Sequence, residues 1–196
     1  EEAGISALTA DPAGGVIRRL GSSNEPDGVM EETAMGLFAV TNEMPDEEQQ
    51  RQLRRQALDV YASYGVTTIQ DSNVSPQYFA GLLAEAQQNP FPQDIVSYMW
   101  VNGLDDEQVN ALQATNYVGG IRIGGAKFTL DGSPQGRTAW LSQPYTEGPP
   151  GQPANYVAYP SYEPQLYKDR LKLLLERDVP VLAHANGDAA IDLMLG

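Results

Sequence analysis

The fold of this chain is decided by GGAKFTLDGSPQGRTA at residues 124–139 and by VPVLAHANGDAAI at residues 179–191. Each stretch begins as a hydrophobic strand and runs into a turn rich in glycine and aspartate. Each strand also carries one reactive side chain, Lys127 in the first and His184 in the second. In (β/α) barrels the chemistry takes place at the carboxyl ends of the strands. The two stretches therefore predict an α/β fold with a functional site where its strands end.

Outward from these stretches, strand patterns alternate with helix patterns. The predicted strands are residues 66–70, 94–101, 121–129 and 179–183. The predicted helices are residues 46–64, 76–88, 105–114 and 164–177, with a last helix beginning at Asp188. Such alternation indicates parallel strands joined by right-handed crossovers. The predicted fold class is α/β, a partial TIM-type (β/α) barrel of four parallel strands with alternating helices.

The first helix shows the clearest amphipathic pattern. Asp46 is its predicted N-cap and Gly65 its predicted stop. Its apolar face is predicted to comprise Leu53, Ala57, Val60, Tyr61 and Tyr64.

Two regions interrupt the alternation. Residues 1–44 are predicted to be an irregular insertion with a small β-hairpin formed by residues 16–19 and 28–30. Residues 45–196 would form the partial barrel. Within it, residues 131–160 are rich in proline and glycine, and a connection of this length in a compact domain usually serves a function. We predict that this segment is a lid or a substrate loop.

The composition excludes several classes of partner. The chain has 196 residues, of which 41% are hydrophobic, and a net charge of −14. Nucleic acids and anionic membranes both attract basic patches, so neither is an expected partner. The absence of cysteine excludes disulfides and thiolate metal sites. No apolar run is long enough for a membrane-spanning helix and no secretory signal is visible, so we expect a cytoplasmic location.

His184 and Lys127 each allow two interpretations. His184 is the only histidine, and it is either a structural core residue or a metal ligand whose second ring nitrogen is oriented by Asn186 or Asp188. Lys127 lies within a buried strand, where it either forms an ion pair with Asp131 or Asp71 or has its pKa lowered by burial.

The strings DGSPQGRTAW at residues 131–140 and HANGDAAID at residues 184–192 resemble the metal-dependent amidohydrolases, in particular amidohydrolase family 3. This branch includes N-substituted formamide deformylase. The resemblance implies a hydrolase that acts on C–N bonds of amides or N-acyl compounds, with a small-molecule substrate and a divalent metal, most simply zinc. It implies that Lys127 and His184 are catalytic residues and metal ligands. In one form of the family site Lys127 would be carboxylated to a carbamate that bridges two metal ions, whereas other branches of the superfamily use another residue or a single metal.

The superfamily places an H-x-H pair on strand one, the lysine on strand four, histidines on strands five and six, and an aspartate on strand eight. The four predicted strands correspond to strands two to five, so Lys127 falls on strand four and His184 on strand five. The other ligands have no counterpart in this sequence. We therefore expect an internal fragment of a larger enzyme, inactive by itself and weak in metal binding. Its unpaired strand edges predict a homo-oligomer.

Further side chains are candidates for substrate contact. Asp131, Gln135 and Arg137 lie in the DGSPQGRT loop. We expect Lys127 and His184 to lie close together at one rim of the barrel, with the 131–160 segment over them. Arg137 suits a substrate carboxylate or carbonyl, or else a loop-fixing ion pair. Asp71 is more typical of a turn cap, and Tyr98 and Trp100 of the core.

Two other functional classes remain open. One is a lysine Schiff-base barrel enzyme, in which Lys127 attacks a carbonyl carbon. The other is a non-catalytic structural or interaction domain. The sequence has neither a G-x-S-x-G nucleophile elbow nor a G-x-G-x-x-G nucleotide fingerprint, so it supports neither a serine hydrolase nor a nucleotide-binding protein.

Overall fold

The structure is a computed structural model, and it describes residues 4–21, 23–37 and 45–196. It begins with an antiparallel hairpin of β1 (Gly15–Arg19) and β2 (Pro26–Glu32), followed by a 3-10 turn at Thr33–Leu37. This confirms the predicted hairpin and extends both of its strands.

Helices and strands then alternate along the chain. They are α1 (Glu47–Ser63), β3 (Thr68–Val74), α2 (Pro76–Gln88), β4 (Asp94–Trp100), α3 (Asp106–Ala111), β5 (Ile121–Thr129), α4 (Pro164–Glu176), β6 (Val181–His184) and α5 (Asp188–Leu195).

The four later strands form one sheet in the order β3-β4-β5-β6. The pairs β3–β4 and β4–β5 are parallel. The third pair runs the same way, since the Ala126 N–H donates to the Pro180 carbonyl and the Leu130 N–H to the His184 carbonyl. The predicted partial (β/α) barrel is therefore confirmed.

Short capping motifs decide where the helices begin. Asp46 and Asp105 each accept a hydrogen bond from the N–H three residues later, and a glutamine side chain at that position bonds back to the cap. The Ser75 side chain accepts a hydrogen bond from the Tyr78 N–H at the start of α2, where Pro76 is the first helical residue. These motifs satisfy N–H groups that a helix leaves without intrahelical partners. The helix starts were consequently readable from the sequence.

The described residues fall into two compact units. The hairpin unit lies within Glu1–Val40, Thr129–Arg170 and Ala183–Gly196, and the helix–strand unit lies within Thr41–Phe128 and Leu171–Leu182. This division differs from the predicted boundary after residue 44. The reason is that the 131–160 segment hydrogen-bonds to the hairpin, as described below.

The buried face of α1 differs from the predicted one. Leu58 is 5% exposed and joins the core cluster of the helix–strand unit, whereas Leu53, Val60 and Tyr61 are 54%, 59% and 48% exposed. Helical periodicity indicates that a helix has an apolar face, but the packing of the folded chain decides which of its side chains are buried. The core cluster consists of Leu58, Leu82, Ala86, Phe91, Ile95 and Ile121.

Residues 131–160 contain no helix or strand, yet they have regular backbone hydrogen bonds of their own. The Leu141 N–H donates to the Val157 carbonyl and the Tyr145 N–H to the Tyr156 carbonyl. The segment is therefore folded back on itself. Among the described residues, no helix has the length and apolar character needed to cross a membrane.

Candidate active site

Asp131 is the centre of the site in the hairpin unit. It follows β5 by two residues, and its side chain is completely buried. Its Oδ1 accepts the Asn186 N–H at 2.9 Å, and its Oδ2 accepts the N–H groups of Gly187 at 2.7 Å and Trp140 at 2.9 Å. One carboxylate therefore joins the turn after β6 to the far end of the DGSPQGRTAW string. A buried side chain with these partners does not fit the substrate contact expected for Asp131.

Gly187 allows this arrangement to close. A Cβ at residue 187 would overlap the backbone of Trp140, including its carbonyl group. The backbone of Gly187 has φ −75° and ψ 149°, which any residue can adopt. Glycine is therefore required here for space rather than for conformational freedom.

His184 is the last residue of β6, and its side chain is 39% exposed. Its Nε2 lies 3.0 Å from the Asn186 side-chain nitrogen and 3.9 Å from Asp131 Oδ1. The Asn186 amide also donates to the Gly132 carbonyl at 2.9 Å, which orients its nitrogen toward both partners. Since that nitrogen is a donor, Nε2 accepts and the proton of the neutral ring resides on Nδ1.

Asp188 has a different role from Asn186. Its carboxylate accepts hydrogen bonds from the backbone N–H of Ser142, at 2.7 Å, and from the Ser142 hydroxyl. The Ser142 hydroxyl and N–H lower the pKa of Asp188. Of the two side chains expected to orient the imidazole, Asn186 contacts it, whereas Asp188 holds the 131–160 segment.

Lys127 lies on β5, in the helix–strand unit, in register with Trp100 of β4. Neighbouring strands place paired residues on the same face of a sheet, and alternate residues on opposite faces. Lys127 therefore shares a face with Trp100 and Tyr98, opposite the face on which Ile95 joins the core cluster. Asp71 is in register with Ser97, on the Ile95 side. Within residues 45–128, accordingly, no ion pair joins Lys127 to Asp71, and burial lowers the pKa of Lys127.

We expect that Lys127→Met stabilises the chain at pH 7 and that this advantage shrinks as the pH approaches 10.5. Burial lowers the pKa of Lys127 in the folded chain below its ordinary value of 10.5. Below the folded pKa both states are protonated, and the cost of burying the charge is fully present. Between the two pKa values the unfolded chain binds more protons, so stability rises with pH. Thermal unfolding at several pH values measures the difference, with Lys168→Met at an exposed position of α4 as the matched control. A wild-type-to-variant difference that is independent of pH would contradict this prediction.

The DGSPQGRT loop is a compact turn with an exposed tip. The Arg137 N–H donates to the Pro134 carbonyl at 3.0 Å, and Gln135 is exposed at the tip. The Arg137 guanidinium lies 3.7 Å from the Glu147 carboxylate, with 39% and 85% of the two side chains exposed. Gln135 and Arg137 are therefore accessible to a ligand. Their role as substrate contacts stays a prediction.

Sequence reasoning assigned Tyr98 and Trp100 to the core. The structure leaves both partly exposed on the Lys127 face. Alternation along β4 indicated that these two share a face, but the strand register was needed to place Lys127 beside them. Sequence reasoning also gave no role to Glu32 and Tyr156, whose contacts join residues far apart in the chain.

The described residues do not complete a metal site by themselves. Residues 4–21, 23–37 and 45–196 contain no group of three histidine, aspartate or glutamate side chains that could hold a metal ion. Zinc sites use at least three protein ligands. His184 and Lys127 have suitable donor atoms, but further ligands are required.

Comparison with known proteins assigns the family. The model of the amidohydrolase family matches residues 1–196, and the chain belongs to this family. It is 26% identical over 211 residues to the protein LONG AFTER FAR-RED 3 of Arabidopsis thaliana, covering 98% of this chain.

Two crystal structures share the fold. One is an uncharacterized metal-dependent hydrolase from Pyrococcus furiosus, with a TM-score of 0.67 and 23% identity over 84% of this chain. The other is an uncharacterized metal-dependent hydrolase from Pyrococcus horikoshii OT3, with a TM-score of 0.66 and 21% identity over 84% of this chain. The chain spans about a third of the length of these relatives, 34%, 34% and 33% respectively.

Proposed function

We propose that the full-length protein is a metal-dependent hydrolase of C–N bonds in amides or N-acyl compounds, of the N-substituted formamide deformylase type. The observation that carries this proposal is the family match over residues 1–196, together with the position of His184 at the carboxyl end of β6. Active sites of (β/α) barrels form at these strand ends. The fold is shared with two metal-dependent hydrolases, which supports a metal ion in the full-length protein. We propose a divalent metal, most simply zinc.

In this proposal His184 and Lys127 are two of the metal ligands. For His184 to bind a metal through Nδ1, its ring proton would move to Nε2, and the Asn186 side chain beside Nε2 would turn its amide oxygen there to accept it. The lowered pKa of Lys127 favours the neutral amine, whose nitrogen adds carbon dioxide with loss of one proton to form a carbamate. When bound, a divalent metal ion polarises the amide carbonyl and lowers the pKa of water.

Other residues of the chain position the His184 ligand and the substrate. Asp131 fixes the turn that carries Asn186, and Asn186 fixes the imidazole of His184. We propose that the exposed Gln135 and Arg137 contact the substrate. Arginine is well suited to a carbonyl or carboxylate oxygen, since its guanidinium donates two parallel hydrogen bonds.

The test uses the full-length protein and a panel of anilides, including 4-nitroacetanilide and 4-nitroformanilide, whose hydrolysis releases coloured 4-nitroaniline. We expect activity that a chelator removes and zinc restores. His184→Ala and Lys127→Met should each lower kcat/KM by at least about 100-fold, since even residues that only support a metal ligand contribute 10- to 100-fold. Lys168→Met should retain activity. Hydrolysis that survives both chelation and His184→Ala would contradict the proposal.

A lysine Schiff-base enzyme is the second candidate, because burial lowers the pKa of Lys127 and a neutral amine is a nucleophile. Its signature is covalent trapping on Lys127 when borohydride is added with a carbonyl substrate, with activity insensitive to chelators. A full-length protein without bound metal and without activity on either substrate class would favour a non-catalytic structural or interaction domain.

A further inference from the structure

A nearly buried ion pair lies at the base of the hairpin. Arg18 Nε on β1 donates to Glu31 Oε1 on β2 at 2.5 Å, and the two side chains are 8% and 10% exposed. Removing either residue would leave the charge of the other buried without a partner, which is strongly unfavourable. Both side chains are therefore held firmly in this pair. None of the chemistry proposed above uses either residue.

The pair reaches into the second half of the 131–160 segment. The Tyr159 hydroxyl donates to Glu31 Oε2 at 3.1 Å, and Arg18 donates to the Tyr156 hydroxyl at 3.4 Å. The guanidinium of Arg18 also lies 5.6 Å from the centroid of the Tyr156 ring. Burial, followed by the neighbouring Glu31 charge, raises the pKa of Tyr159, so this hydroxyl remains a proton donor.

The adjacent Glu32 reaches the first half of the segment. The Thr138 hydroxyl donates to Glu32 Oε1 at 2.7 Å, and Thr138 Oγ1 itself accepts the Ser133 N–H at 3.0 Å. Gly132 makes room for this contact, because a Cβ at residue 132 would overlap both Thr138 and the Glu32 carboxylate.

Two tyrosine side chains hydrogen-bond to the backbone of the DGSPQGRT loop and of Ala139, the residue that follows it. The Tyr156 hydroxyl donates to the Arg137 carbonyl at 3.0 Å, and the Tyr145 hydroxyl donates to the Ala139 carbonyl at 2.8 Å. The two rings lie 5.9 Å apart between centroids. The backbone on either side of Thr138 is therefore held from the hairpin through a continuous series of hydrogen bonds.

We propose that the hairpin is a template that holds the DGSPQGRT loop in one conformation, with Glu32 and Glu31 as positioning residues for Arg137 and Gln135. Movement of this loop as a lid would break the Thr138–Glu32 and Tyr156–Arg137 contacts together. A fixed loop presents its exposed side chains to a substrate without a cost for ordering them. The importance of this positioning for substrate binding rests on the proposed function, whereas the holding of the loop does not.

Hydrogen exchange of the 196-residue chain tests the holding of the loop. In Glu32→Ala we expect the amides of residues 132–139 to exchange roughly tenfold faster or more, because the Thr138 hydroxyl loses its acceptor. Glu32→Gln keeps an acceptor oxygen and should restore slow exchange. Glu25→Ala, at an exposed position before β2, is the matched control, and amides of α2 report on global unfolding. Tyr159→Phe, which removes only one hydroxyl, replaces Glu32→Ala if that variant unfolds. Unchanged exchange at residues 132–139 in a folded variant would overturn the proposal.

The second arm uses the full-length protein with an anilide that it hydrolyses. Glu32→Ala should raise KM about tenfold with kcat within about twofold, since a misplaced loop loses substrate binding rather than chemistry. Glu32→Gln should rescue KM, which a general loss of folded protein would not allow. Faster exchange with an unchanged KM would refute the role in substrate binding. If no anilide is hydrolysed, the proposed function fails, and the exchange arm still decides whether the hairpin holds the loop.

Discussion

Asp131→Ala is expected to destabilise the folded chain by about 3–5 kcal/mol, because three N–H groups lose their acceptor in a buried position. The donors belong to Trp140, Asn186 and Gly187, and the carboxylate that binds them has no exposed surface. Each unsatisfied buried donor costs roughly 1–3 kcal/mol, and neighbouring effects do not add fully. The free energy of unfolding in urea, followed by circular dichroism, measures the loss.

A conservative variant and a surface control test the same prediction. Asp131→Asn retains the shape of the side chain but turns an amide N–H toward backbone N–H groups, so most of the loss should persist. Asp192→Ala, at an exposed position on α5, should change stability by no more than about 0.5 kcal/mol. Ordinary substitutions change the free energy of unfolding by about 1 kcal/mol. If Asp131→Ala lowered it by no more than that, the carboxylate would not be what holds these turns together.

Gly187→Ala is expected to destabilise the chain by about 3 kcal/mol, at the upper end of ordinary overpacking, because the new methyl group would overlap a backbone rather than a flexible side chain. The overlap is with Trp140, so the variant must displace the segment from the turn after β6. Since both the Asn186 and Gly187 N–H groups bind Asp131, His184 should lose its orientation as well.

The matched control is Gly81→Ala in α2, where a Cβ would meet no atom within 4 Å. Alanine is the better helix former by roughly 0.5–1 kcal/mol, so this variant should be more stable than the wild type. The free energy of unfolding should therefore decrease in Gly187→Ala and increase in Gly81→Ala. A loss at Gly187 no greater than the change at Gly81 would contradict the close approach to Trp140.

Comparison of the predicted and observed elements shows which signals are local. The bounds of α2 and β5 agree with prediction at residues 76–88 and 121–129. The Ser75–Pro76 start of α2 is a local signal. Residues 179–183 were predicted as a strand and β6 begins two residues later, at Val181. The helix predicted at 105–114 ends at Ala111, because Leu112 has an extended ψ of 132°. Strand and helix ends depend on neighbours as well as on the chain itself.

The sequence by itself determined the α/β class, the order of strands and helices, and the presence of Lys127 near the end of β5 and His184 at the end of β6. These properties follow from hydrophobic periodicity, caps and turn residues, which act within a few positions of the chain. Only the tertiary structure decided that Leu58 is the buried side chain of α1, that Lys127 shares a face with Trp100, and that Asp131 is buried rather than accessible to a substrate. It also decided that Glu32 bonds Thr138, which is 106 residues away. Burial and long-range hydrogen bonds depend on which segments pack together, and the local sequence pattern does not specify that packing.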